Sequence, residues 1–407
     1  MNSTYQRNQE NPVSHEGEYS VDVLAQKTYD FLENAVDGGK PFFLGVAPVA
    51  PHGNVQADPG IAGSEDMWGT ASSAPKVHFS APVAAERHKD LFSDAKVPRT
   101  DNFNPNAPSG ANWVRTLRRQ SQENVDYNDH FYRQRLRALQ SVDELVDGIV
   151  ARLEDRGVLQ NTYIVYTSDN GYHIGQHRLP PGKECGYEED VNVPLIVRGP
   201  GVPRNRTTGV VTTHTDLAPT ILELAGVGPA PDVEFDGEKI PLDAEELTSA
   251  ARSRHEHVNI EYWGFALAEG RQFPGQDFYW LNNTYKALRI AGDSWDLYYS
   301  VWCNGEHELY DMKVSLNKAR PKLPKPTEDQ TDKILVPCNT DRSGPTAQST
   351  FRRNQPSSSS RHHDPGIPHP EGGYAPRFPT VRSQVMQGPK LHSALERPAP
   401  GRQCREA

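Results

Sequence analysis

Cysteine is sparse, and the four that exist, Cys185, Cys303, Cys338 and Cys404, never form a Cys-x-x-Cys pair. That argues against a zinc knuckle or a redox motif. No run of eighteen apolar residues occurs, so neither a transmembrane helix nor a membrane partner is expected. The first residues, "MNSTYQRNQENPVSHEGEY", are polar throughout and read neither as a signal peptide nor as the start of a domain. Apolar residues make up only 35% of the 407, beside 32 glycines and 34 prolines, so part of the chain is expected not to fold. Positive charge is short everywhere but the end. Residues 313–407 hold 16 Lys/Arg against 8 Asp/Glu, a surplus of +8, which leaves −18 on the first 312 of a chain whose total is −10. Such an acidic body repels polyanions, so no nucleic-acid partner is expected, and an anionic substrate needs a local basic pocket.

What is present is a sequence of α/β texture. "SVDVLAQKTYDFLENAV" sets Val21, Leu24, Thr28, Phe31, Leu32 and Ala35 on one helical stripe, with Ser20 as its cap and Gly38-Gly39 as its stop. A short buried strand is expected at Phe42–Val46. Residues 54–125 read mostly as loop. Phe131, Leu136, Leu139, Val142, Leu145, Val146, Ile149, Val150 and Leu153 then recur at three-four spacing in a long helix ended by Gly157. Strands follow at Tyr163–Thr167 and Leu195–Val197, and a helix capped by Asp216 and ended by Gly226. Strand, helix, strand, strand, helix with near-continuous apolar strands predicts an α/β fold with a mostly parallel sheet sandwiched by helices over 1–253. Aromatic strands such as "HVNIEYWGF" and "LYYSVWC" predict a small antiparallel C-terminal subdomain over 254–312. Residues 313–407, with 14 prolines and the serine run Ser357–Ser360, are expected to be a disordered basic tail. "MKVS" is also what reading through a splice donor encodes, so the tail is expected to be a gene-model artefact.

In open α/β sheets ligands sit off the carboxyl ends of strands. Asp169 and Asn170 hold that place after "TYIVYT" and offer two hard oxygen donors for Ca²⁺ or Mg²⁺; the bland reading is an Asx-type turn closing into Gly171. Lys183, after a Pro-Pro-Gly loop, is either an anion anchor or a solvated surface lysine. His52, at the tip of the other strand, is by itself an ordinary loop histidine. His173 and His177 have the spacing of a zinc helix but lack its glutamate and follow a glycine turn, which argues against a zinc protease.

Taken together, "PFFLGVAPVAPHGN", "ERHKDLF", "VPRTDNFNP", "YRQRLRALQSVDELV", "YIVYTSDNGYHIGQHRLPPGKECGYEEDVNVPLIVRGPG", "TDLAPTILELAG" and "LYYSVWCNGEHELYDM" resemble the sulfatase family, nearest to fungal arylsulfatases and glucosamine-6-sulfatases. The resemblance runs from about Tyr19 to Met312 and implies an alkaline-phosphatase-like fold. It also implies Asp169 and Asn170 as calcium ligands and Lys183 and His52 as catalytic groups on the sulfate. His173 is implied as a further substrate contact. The partner implied is a small aryl sulfate or a sulfated sugar, and the location secreted or in the endomembrane lumen, where the sequons at Asn2, Asn205 and Asn282 would be glycosylated. A divalent cation, a lysine and a histidine suit attack on sulfur, which builds negative charge on the sulfonyl and leaving oxygens.

The sequence departs from the family in one respect. The Cys/Ser-x-Pro/Ala/Ser-x-Arg motif, whose first residue is oxidised to the formylglycine nucleophile near the family's N-terminus, is not found there, and neither is the first pair of acidic calcium ligands. Cys338–Arg342 carries Thr at the middle position, and Ser357–Arg361 fits only as letters in a serine run. The expectation is an N-terminally truncated sulfatase with an incomplete sheet. The alternatives are a non-catalytic relative that binds sulfated glycans, and a metal-dependent phosphodiesterase or phosphatase of the same superfamily, against which Asn170 argues because zinc enzymes favour nitrogen there.

Overall fold

Two helices carry the molecule. α1 (Ser20–Asp37) and α2 (Gln122–Asp155) each present an apolar stripe, and the stripes meet. Val21 packs with Val142 and Leu145, and Leu32 with Leu153 and Leu159. Arg87 clamps the pair from outside, reaching Asp22 at 2.7 Å and Glu144 at 2.5 Å. α2 has 34 residues, about 51 Å at 1.5 Å per residue. Ser121 and Asn124 form its capping box, and Gly157 (φ +67°) lies just past its end. At α1 the expected cap differs: Tyr19 holds the cap position without a side-chain bond, and Ser20 is already helical. The computed structural model describes residues 2–58, 77–228, 233–274, 277–292 and 294–315, which all fall in one compact unit. The tail beyond 315, with the Cys338 and Ser357 sequences, lies outside the described residues.

Strand pairing corrects part of the sequence reading. Every ladder among the described residues is antiparallel. β5 (Ile164–Thr167) pairs with β6 (Leu195–Arg198), Ile164 opposite Arg198 and Thr167 opposite Leu195. A parallel pair needs a crossover, usually a helix; here the link is a looped segment whose helix, α3 (Glu188–Val191), has four residues. Residues 42–46 form no strand, for no neighbour offers them a ladder, and Phe43 is 65% exposed. Two further antiparallel pairs complete this part: β1 (Asn2–Tyr5) with β2 (Val13–Glu16), and β3 (Asn54–Ala57) with β4 (Val77–Ser80). α4 (Leu217–Leu224) follows a capped 3-10 turn at 214–216; Asp216 does not cap α4. Its carboxylate accepts from the Thr213 and Glu238 N–H groups and from Arg254, which buries it as an ion pair.

After α5 (Ala244–Ser253) comes the expected antiparallel sheet, in the order β12 (His307–Asp311), β11 (Asp296–Trp302), β10 (Tyr285–Ala291), β7 (His257–Tyr262), with β8 (Ala266–Leu267) and β9 (Tyr279–Trp280) paired separately. It does not stand apart. Tyr285, Tyr298 and Trp302 share one core with Trp113, Leu179, Cys185 and Tyr187. Buried Glu308 ties the two together by accepting from Trp302 Nε1 (2.7 Å), the Tyr310 hydroxyl (2.7 Å) and the Tyr187 hydroxyl (3.1 Å). A buried carboxylate must be hydrogen-bonded, and these three donors meet that need from both sides of the junction.

Candidate active site

Asp169 and Asn170 stand at the end of β5, as expected. A turn there has to bend beside the segment 189–190, and only glycine fits: a β carbon on Gly171 would lie 2.0 Å from the Glu189 carbonyl oxygen. The turn is closed by backbone, with Gly171 N donating to Asp190 O and Tyr172 N to Glu189 O, both at 2.7 Å. Ser168 Oγ donates to Asn170 O at 2.9 Å. An Asx-type turn needs the Asp169 carboxylate to accept from Gly171 N, and that N–H is already used. The Asp169 carboxylate is exposed, its one described hydrogen bond a long one of 3.4 Å from Ser168. Asn170 Nδ2 donates to Gly171 O at 2.7 Å, which leaves Oδ1 as an acceptor. These two oxygens fit a hard cation. They line a cavity of about 700 Å³ with Glu188, His214 and Arg289.

His52 and Lys183 come together from distant loops, Lys183 Nζ lying 3.3 Å from His52 Nε2. They do not line the cavity of Asp169 and Asn170. Gly53, next to His52, sits where a β carbon would come within 3.2 Å of Ser80 O and 3.7 Å of the Phe131 ring, so the loop lies close on α2 and β4. The Lys183 loop is moored to the C-terminal sheet: Asn283 Nδ2 and the Tyr285 hydroxyl donate to Glu184 O at 2.8 and 3.3 Å.

His173 is placed differently from a substrate contact. It is buried, its Nδ1 lies 2.9 Å from both oxygens of Asp190, and its backbone pairs with Gly182. Asp190 also accepts from Cys185 N at 2.8 Å. Donor atoms of His173, Cys185 and Asp190 lie within 4.8 Å of one another. Burial and the Asp190 charge push the Cys185 thiol up in the metal-free chain. The three are buried and joined through the Asp190 carboxylate, in an arrangement that could also hold a metal ion. His177 is likewise buried, bonded to Ser109 Oγ at 2.9 Å, and burial lowers it to about 4.

Two neighbours were not legible in the sequence. Glu269, 3% exposed, brings Oε1 to 3.4 Å from Lys183 Nζ, and its backbone N–H donates to Pro181 O at 2.7 Å. Arg135 of α2 donates from Nη1 to Pro51 O at 3.1 Å and lies 4.1 Å over the Tyr172 ring. Burial lowers its affinity for the proton, against the opposing pull of Tyr172, Glu269 and Asp169. It therefore connects the His52–Lys183 pair to the tip of β5. In the sequence Arg135 is one of several arginines on a polar helix face, and Glu269 is one acid in "ALAEG".

The α/β frame thus carries a strand-end pair of oxygen donors and, from flanking loops, a lysine–histidine pair. The Sulfatase family model matches residues 1–227, and the chain belongs to that family. It is 45% identical over 302 residues to Sulfatase ppz1 of Metarhizium majus, covering 74% of this chain and 60% of that protein. It is 37% identical to the arylsulfatase of Volvox carteri, covering 77% and 49%. It is 33% identical to the N-acetylglucosamine-6-sulfatase of Homo sapiens, covering 72% and 51%. The chain thus spans between half and three-fifths of the length of these relatives. A solved structure of a protein with its substrate D-glucosamine-2-N,6-O-disulfate matches with a TM-score of 0.56 at 21% identity over 80% of this chain and 69% of that one. A phosphonate monoester hydrolase from Silicibacter pomeroyi matches with a TM-score of 0.50 at 18% identity, covering 78% and 59%. These likenesses give the fold: α/β, of the alkaline-phosphatase-like kind, with the antiparallel sheet at its C-terminal side.

Proposed function

We propose that this chain carries the cation-binding and anion-binding side of a site for hydrolysis of sulfate esters, of the arylsulfatase type. The observation that supports it is the Lys183–His52 contact at 3.3 Å, which joins the lysine and the histidine expected on a sulfate from loops 131 residues apart. Asp169 and Asn170 would hold a calcium ion, which would supply charge stabilisation at the sulfonyl oxygens. Lys183 would bind a sulfonyl oxygen. His52 is oriented by Nδ1, which donates to Gly53 O at 2.8 Å, so Nε2 is the atom that would exchange a proton with the leaving oxygen. Small aryl sulfates and sulfated sugars are the substrate classes, and the secreted, glycosylated state of such enzymes is part of the same reading.

The sequence offers no Cys/Ser-x-Pro-x-Arg, so this chain is expected to bind and not to turn over. That one feature also favours a second reading, a non-catalytic binder of sulfated glycans. Titration of the purified 407-residue chain with sulfate and with 4-nitrophenyl sulfate in calcium buffer tests the proposal. Binding lost in Lys183→Met, with no release of nitrophenol, is the expected result. Release of nitrophenol refutes the non-catalytic state, and undetectable binding refutes the site.

A further inference from the structure

We infer that Arg135 is a third anion-binding group of this mouth, a guanidinium that takes the sulfate together with Lys183 and His52. The inference rests on the reading of the site given above. Arg135 lies on α2, outside the strand-end loops that hold the other groups, yet its surroundings place it among them. Nη1 is tethered to the carbonyl of Pro51, the residue before His52. Its planar face lies 4.1 Å from the centre of the Tyr172 ring, three residues past Asp169. That ring is in turn stacked on Phe131, one turn earlier on α2, at 5.7 Å and 11°. The guanidinium is thus pinned on one edge and on one face, while Nη1 to Pro51 is the only hydrogen bond described for its five N–H donors. A rigid fork with donors to spare suits a tetrahedral oxyanion.

The bland alternative is that Arg135 only packs against Tyr172. A solvated packing arginine usually finds a carboxylate to pair with; the nearby carboxylate of Glu269 instead lies against Lys183 at 3.4 Å.

Calorimetric titration of the full chain with sodium sulfate in calcium buffer separates the two. Arg135→Met keeps the length and the contact with Tyr172 but removes the charge and the donors. We expect it to weaken sulfate binding at least tenfold, with the thermal midpoint near that of the parent. Wild-type affinity in Arg135→Met, alongside weakened binding in Lys183→Met, overturns the inference and leaves the site reading intact. Unchanged affinity in both overturns the site reading itself. Should Arg135→Met fail to fold, phenylglyoxal labelling of the unaltered chain decides. Saturating sulfate should slow modification of Arg135 at least fivefold while leaving exposed Arg204 unaffected, and equal rates at Arg135 with and without sulfate refute the role.

Discussion

The Lys183 ammonium donates to Nε2 of His52 across 3.3 Å, while Nδ1 of the same ring lies 2.8 Å from the Gly53 carbonyl oxygen. A carbonyl can only accept, so Nδ1 carries the proton and Nε2 presents its lone pair to the lysine. The two residues set each other's orientation before any ligand arrives.

Loss of His52 should therefore be felt as loss of affinity, not of fold, whereas loss of Lys183 also leaves the buried Glu269 carboxylate without its cation. A hydrogen bond to a charged group is worth about 1.5–3 kcal/mol, so Lys183→Met and His52→Ala should each weaken sulfate binding by about 10- to 100-fold. Calorimetry measures the affinity; His52→Ala should keep a thermal midpoint within a few degrees of the parent, and Lys183→Met should lower it.

Charge balance makes the cation a condition of anion binding. Lys183 already has the Glu269 carboxylate at 3.4 Å, and the Asp169 charge acts on Arg135. In the proposed site a divalent ion supplies the surplus of positive charge that an anion needs. Chelation with EDTA should abolish sulfate binding, and calcium should restore it. Asp169→Ala should remove both the calcium response and the rise in thermal stability that a ligand bound only to the folded state confers, about 2.7 kcal/mol at one hundred times its dissociation constant. Sulfate binding of equal strength in EDTA contradicts this.

Glu184 should make the chain lose stability toward alkaline pH. Burial first, then the charge of Glu269, raise its carboxyl from 4.5 to about 8; Lys183 and the Leu267 N–H, which donates to Oε2 at 3.0 Å, pull the other way. The folded pKa is above the unfolded one, so the contribution is whole below pH 4.5 and is lost as pH rises through 8. The slope in that window is about 1.4 kcal/mol per pH unit, and the total about 5 kcal/mol at most. Glu184→Gln should flatten the curve in urea denaturation between those limits, and a curve of unchanged slope counts against the assignment.

The buried pair of His173 and Asp190 should be the costliest to break near the site. Asp190→Ala strands both the ring Nδ1–H and the Cys185 N–H, and removing one partner of a buried pair costs about 3–5 kcal/mol. Urea unfolding measures it. Calcium affinity should fall with it, because the turn that carries Asp169 and Asn170 is hydrogen-bonded to residues 189 and 190.

Local signals in the sequence carried far. The stripes of α1 and α2, the glycine at 157, β5 and its Asp-Asn tip are all properties of neighbouring residues, and they can be read from spacing. Pairing is not. The apolar run at 42–46 looks like a strand, yet a strand exists only where another lies beside it, and a run of the same composition cannot say whether one does. β5 and β6 were legible as strands but not as antiparallel, since that depends on how residues 168–194 double back. At the candidate site, Asp169, Lys183 and His52 could be singled out because a strand end or a motif marks them. Arg135 and Glu269 bear no such mark: one is spaced like any polar helix residue, and the other arrives from a loop 86 residues downstream of Lys183. His173 shows the reverse error, a residue in a telling motif whose side chain the fold spends on Asp190.

The mooring of the Lys183 loop to Asn283, Tyr285 and Glu308 has a temporal side. During synthesis the lysine leaves the ribosome about a hundred residues ahead of the strands that fix it. Contacts so far apart along the chain form late and slowly. The anion mouth is thus among the last features of the nascent protein to take shape, and a lesion in the final hairpin would surface as a defect at Lys183 long before it reached the helical pair.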